Sequence, residues 1–167
     1  MIRHHVLTLG FALAVAAATS SIAHAQLRPP TQMQSPPRSS KLTTASVEAA
    51  DGGDFAKALS LADQAIASNA KDPWGYFNRG GALRGLHRTD EAVSAFHDAE
   101  SLMPADDLWG RSVAIWGQAD ALSRDGRCSD AAAVYERYAV TVEKADAGAA
   151  ALARQYAQHC TPRAEAK

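Results

Sequence analysis

The chain has 167 residues, 47% of them hydrophobic and 21% charged, enough for one ordinary globular domain. Its 17 Lys and Arg against 18 Asp and Glu give a formal net charge of -1, so the basic footprint of a nucleic-acid binder or of a protein drawn to an anionic membrane is missing. Aromatic residues make up only 7%, and alanine, the strongest helix former, dominates the apolar set. With few β-branched runs and few hairpin signals, the composition points to an all-α fold.

The N-terminus reads as a secretory signal peptide over residues 1–25. Arg3 supplies the charge, residues 6–19 are apolar without a charged residue, and Ala23-His24-Ala25 ends the segment with the small-residue pattern of a cleavage site. The apolar stretch is too short to favour a membrane-spanning helix. No Arg-Arg pair suggests a twin-arginine route, and no cysteine follows the cleavage point to carry a lipid. The expectation is a periplasmic or secreted protein without a transmembrane segment after cleavage; a leader retained as an anchor is the rival. Residues 26–40, QLRPPTQMQSPPRSS, carry four prolines among Gln and Ser and cannot build a packed core. They are expected to form a flexible linker, followed by a helical domain over 41–160 and a disordered tail over 161–167.

The helical pattern predicts seven helices, at about 42–51, 54–68, 73–86, 89–103, 109–124, 129–143 and 146–160. Asp54, Thr89, and Ser129 or Asp130 stand where N-caps are needed. Asp72-Pro73 opens the third helix, where proline is tolerated. Within this region the sequence is self-similar. Ala58 and Ala65 recur at one constant interval as Ala92 and Ala99, and the same interval aligns Ala62 with Phe96. A third copy opens at Asp125-Gly126-Arg127, and its Ala131 falls five positions later than that interval, counted from Ala92, would place it. The five additional residues are expected in a longer loop near Pro104–Asp107.

Cys128 begins the sixth helix and Cys160 ends the seventh, and the ends of an antiparallel hairpin of equal helices meet. A disulfide stapling the last helix to the helix before it is therefore expected, with two free thiols or a redox pair as rivals. The two cysteines lie a whole helix pair apart in the chain, unlike the Cys-x-x-Cys spacing of redox sites. Outside the leader the histidines are His87, His97 and His159, and none falls in a metal-ligand spacing. Arg79-Gly80-Gly81-Ala82-Leu83-Arg84-Gly85 is glycine-rich but lacks the strand and the Gly-Lys-Ser/Thr ending of a phosphate loop, and reads as close helix packing. No nucleophile, base and orienting acid form a constellation. The sequence thus points to no catalytic residues, no cofactor and no metal.

The middle copy has Tyr76, Gly80 and Leu83 on its first helix and Ala92, Phe96 and Ala99 on its second, which Pro104 closes. It resembles the tetratricopeptide repeat, whose period is about 34 residues in two helices. Arg79 stands where the family has a large apolar residue, and Leu83 where it has a second aromatic. The resemblance covers about residues 40–143. It implies a right-handed α-solenoid of antiparallel helix pairs, about three repeats with the last helix as a cap. It also implies a concave groove, lined by first helices, that receives a protein or peptide partner. The positions that would face this groove are Val47 and Asp51 in the first copy; Trp74, Phe77, Gly81 and Arg84 in the second; and Val113, Trp116, Asp120 and Arg124 in the third. Thr43 and Val47 replace the residues with which some members clamp a terminal carboxylate, so no such clamp is expected. The implied function is a non-catalytic interaction module or scaffold; a periplasmic assembly or folding helper is the alternative, and a thiol-based enzyme is the third.

Overall fold

A computed structural model describes residues 40–160; the leader, the linker up to residue 39 and the tail lie outside the described residues. Helices α1 (Lys41–Asp51), α2 (Phe55–Ser68), α3 (Pro73–Gly85), α4 (Thr89–Leu102), α5 (Leu108–Arg124), α6 (Cys128–Val142) and α7 (Ala147–His159) follow in order, and among the described residues there is no strand. The fold is all-α, and no described helix is long and apolar enough to cross a membrane.

Side chains that accept from free backbone N–H groups start five of the helices. Asp54, Asp72, Asp107 and Asp146 accept from the N–H groups of Lys57, Trp74, Gly110 and Ala149, and Ser40 accepts from Thr43. Each such cap contributes about 1 kcal/mol. The caps expected at Thr89 and at Ser129 or Asp130 are not formed. All three residues lie inside the first turn, and the caps are Arg88 and Arg127, which make no side-chain cap bond. Their guanidiniums instead reach forward, Arg88 to Glu91 at 2.6 Å and Arg127 to Asp130 at 2.8 Å.

The turns that join α1 to α2, α3 to α4 and α5 to α6 share one geometry. Gly53, His87 and Gly126 have φ of 79°, 59° and 76°, in the left-handed region that terminates helices. The following N–H groups, of Asp54, Arg88 and Arg127, donate to the carbonyls of Ala49, Leu83 and Leu122 at 2.9, 2.9 and 3.0 Å. Glycine adopts this φ without strain; His87 carries a Cβ penalty of about 1 kcal/mol there.

Burial follows the same spacing. Ala58, Ala92 and Ala131, the small residue of α2, α4 and α6, are each 0% exposed. Ser46, Gly80 and Ala119 are buried at the matching position of α1, α3 and α5. The Ser46 hydroxyl satisfies itself by donating to the Ala58 carbonyl at 2.8 Å. Small residues here let the paired helices approach closely. Each helix packs on the next in sequence, and α3 also touches α1 and α5.

The centre of the stack is the Phe96 ring of α4. A methyl group on Gly80 of α3 would come within 2.8 Å of it, and one on Gly117 of α5 within 2.7 Å. The ring is therefore clamped between two bare stretches of helix, with Leu83, Ala92, Ala95 and Ala121 around it. A second cluster joins α5, α6 and α7 through Trp116, Tyr135, Tyr138 and Val142, while the cluster at the N-terminal end is built on Ala49, Ala58 and Ala82.

The five additional residues of the third copy do not make a long loop. The α2–α3 connection has Asn69–Asp72 and the α4–α5 connection has Met103–Asp107, one residue more; the other four prolong α5 at its start. A helical turn is the cheaper solution, since it satisfies its own backbone donors and acceptors. Asp107 caps this added turn by accepting from Gly110 at 2.7 Å.

Cys128 and Cys160 form a disulfide with Cα atoms 5.3 Å apart, so α7 returns antiparallel along α6. The bond joins positions at a sequence separation of 32, for which loop-closure entropy predicts a stabilisation of about 3–4 kcal/mol. Two measurements check this account. Truncation of the clamped ring, Phe96→Ala, is expected to lower the urea-unfolding free energy by about 3–5 kcal/mol, and Gly117→Val to lower it by at least about 1 kcal/mol by overpacking the same site. A loss below ~1 kcal/mol for Phe96→Ala would show that the ring is not the centre of packing. Unfolding with and without a dithiol reductant should differ by about 3 kcal/mol, and equal midpoints would remove the staple from the stability of the domain.

Candidate interaction face

Helices α3 and α5 lie side by side and run in the same direction. Near their starts the rings of Trp74 and Trp109 meet with centroids 5.5 Å apart; near their ends Arg84 Nη1 meets Asp120 Oδ2 at 2.6 Å. On its other side α3 touches α1, where the Asn78 amide donates to the Thr43 carbonyl at 3.0 Å. The three first helices of the pairs thus adjoin one another, α1 to α3 and α3 to α5.

Gly81 sits on α3 between Asn78, which reaches α1, and Arg84, which reaches α5. A Cβ placed on Gly81 would meet nothing within 4 Å, whereas one on Gly80, the residue before it, would collide with Phe96. The two adjacent glycines therefore do opposite things. Gly80 makes room for the core, and Gly81 leaves the outer face of α3 without a side chain.

Trp74 and Phe77 are half-buried. Their rings meet edge to face at 5.5 Å, and Phe77 packs on Phe96 at 5.3 Å, so the two form a ridge resting on the core. Arg84 and Arg124 both bind one oxygen of Asp120, at 2.6 and 2.9 Å. Arg124 is 68% exposed and Arg84 36%, while Asp120 is 19% exposed; two cations thus face outward over a single, shielded carboxylate. On α1, Val47 is 44% exposed and Asp51 is exposed.

Val113 and Trp116 differ from the other expected groove positions. They are buried, at 3% and 7% exposure. Trp116 meets Tyr135, Tyr138 and Tyr156 edge to face at 5.1, 5.2 and 5.1 Å, so its ring is spent on the junction of α5, α6 and α7. The third helix pair consequently offers Asp120 and Arg124 to the face, with Val113 and Trp116 beneath it.

Trp109 is not among the expected positions, and it is 39% exposed beside Trp74. It stands on the first turn of α5, which has no counterpart in α3, so groove positions carried over from α3 begin at Val113 and leave it out. The signal in the sequence is Asp107, an N-cap residue just before Leu108 and Trp109.

The opposite side of α5 carries a closed polar network. Arg137 donates to Glu100 at 2.7 Å and to the Gln118 amide oxygen at 2.8 Å, while the Gln118 amide nitrogen donates to Glu100 at 2.8 Å. Three helices are locked by it, and with all its members partnered it reads as a register device. Among the described residues no group of three His, Cys, Asp or Glu could hold a metal.

The sequence matches no protein-family model and no curated protein.

Burial pushes the Tyr135 phenol well above the usual range, and the nearby Asp120 charge adds to it. Burial also raises Tyr138 and Tyr156, seconded by Asp146 and by Asp120. Because the folded state raises these values above the unfolded one, near pH ~10, their contribution is fully present below pH ~10 and is lost as pH climbs through the folded values. Helical ellipticity should therefore collapse in alkali above pH ~10, and Tyr135→Phe should move that collapse to higher pH. An unchanged alkaline midpoint in Tyr135→Phe would contradict the assignment.

Proposed function

We propose that this chain is a tetratricopeptide-type protein–protein interaction module, with its three helix pairs arranged as a right-handed α-solenoid, α7 as the cap, and a concave groove on the α1, α3 and α5 face that holds a peptide or partner protein. The observation that carries the reading is the recurrence of one helix–turn–helix geometry at 53–54, 87–88 and 126–127, at the same intervals at which Ala58, Ala92 and Ala131 are buried. A helix pair alone cannot cover its apolar side, so pairs of one design stack and leave a continuous face of first helices.

The character of that face supports binding of a polypeptide. Half-exposed tryptophans and arginines are the residue types that dominate protein-interface energetics, and the open position at Gly81 leaves space for a chain to pass. The reading assigns the protein to the periplasm or the extracellular space, supported by the pattern of residues 1–25 and by a disulfide of the kind that persists in oxidising compartments. It assigns no catalytic step, and the module acts by holding its partner.

Gly81→Gln fills the face without touching the core. Crosslinking in the native host with wild-type protein and with Gly81→Gln, followed by mass spectrometry, is expected to show partners that the variant loses at least tenfold while its unfolding midpoint does not fall. Equal recovery of the same partners by both proteins would remove the groove.

A further inference from the structure

The two features of the α3–α5 seam lie at a fixed separation. The aromatic pair, Trp74 and Trp109, sits at the start of the two helices, and the cationic pair, Arg84 and Arg124, lies towards their ends. Trp74 and Arg84 are ten positions apart on one helix, about 15 Å at roughly 1.5 Å per residue. Between them Gly81 presents no side chain, and Phe77 lies low against Phe96. The seam is thus a shallow track with an apolar post at one end and a positive post at the other.

The charges at the positive end do not cancel. Arg84 and Arg124 share only Asp120, and both bind the same oxygen, so one unit of positive charge remains for an incoming group. Glu48 and Asp51 are exposed acids on α1, which touches α3 and makes no contact with α5. A guanidinium pair matches a carboxylate in both charge and geometry.

We infer that the seam selects an extended peptide segment in which a large apolar or aromatic side chain is followed or preceded, at four to five residues, by Asp or Glu. The spacing follows from the ~15 Å between posts and the roughly 3.3 Å advance per residue of an extended chain. The apolar side chain packs on Trp109 and Trp74, the backbone passes over Gly81, and the carboxylate accepts from Arg84 and Arg124 beside Asp120. The inference rests on the groove reading and adds to it the chemistry of the partner.

Selection of a displayed library of random twelve-residue peptides on the disulfide-intact protein tests it. The expected result is enrichment of an acidic residue four to five positions from an aromatic or large aliphatic one. Synthetic peptides from the enriched pool should bind Arg84→Gln/Arg124→Gln at least tenfold more weakly than wild type, and their Glu→Gln counterparts should bind both proteins equally weakly. Binding of the peptides should also weaken with added salt. Peptides that Gly81→Gln rejects but that carry no such acid, or that bind the double arginine variant as well as wild type, overturn the inference and leave the groove standing. Peptides that still bind Gly81→Gln, or no enrichment at all, overturn both.

Discussion

Much of this fold depends on one aromatic ring held against two glycines. Phe96 reaches from α4 into the gap between α3 and α5, and the missing side chains of Gly80 and Gly117 let both helices close on its faces. Dispersion and burial at such a site require near-native packing density, and a side chain at position 80 or 117 would push the helices apart. The same closure sets the spacing of α3 and α5, which is what allows Trp74 to meet Trp109 and Arg84 to meet Asp120. The outer face is therefore a consequence of the inner clamp.

The helices were legible in the sequence because each level of pattern agreed with the others. Alanine-rich periodicity, Asp54 and Asp72 pointed to the same boundaries, and the structure places each helix end within one residue of them. The cysteine pairing was legible for a geometric reason, since two helices of similar length that fold back bring Cys128 and Cys160 together. The arginine caps were not. Thr89 and Ser129 are good capping residues by type, but the preceding left-handed turn fixes the cap position one or two residues earlier, at Arg88 and Arg127.

The face was legible only in part, and the failures have a common cause. Position along a helix gives the direction of a side chain but not what covers it. Trp116 points from α5 in a direction analogous to that of Phe77 on α3, yet α6 and α7 bring three tyrosines around it. Conversely, Trp109 lies in a first turn of α5 that α3 does not have, so the repeat register put no groove position on it although it is half-exposed. Adjacent glycines carry the same lesson: in sequence Gly80 and Gly81 look alike, and only the packing of α4 tells the core glycine from the surface one.

The Cys128–Cys160 bond also sets a direction along the molecule. At the C-terminal end a covalent tie and four mutually packed aromatic rings hold the last three helices. At the other end α1 buries only Thr43, Ser46 and Ala49, and is held by small contacts, a serine hydroxyl and one asparagine amide. Where each helix is supported chiefly by its neighbours in the chain, such an imbalance makes opening directional. Opening is therefore expected to start in α1 and travel inward, ahead of the α5–α7 block. The seam beside Trp109 thus belongs to the rigid half, and its α1 border to the half that yields first.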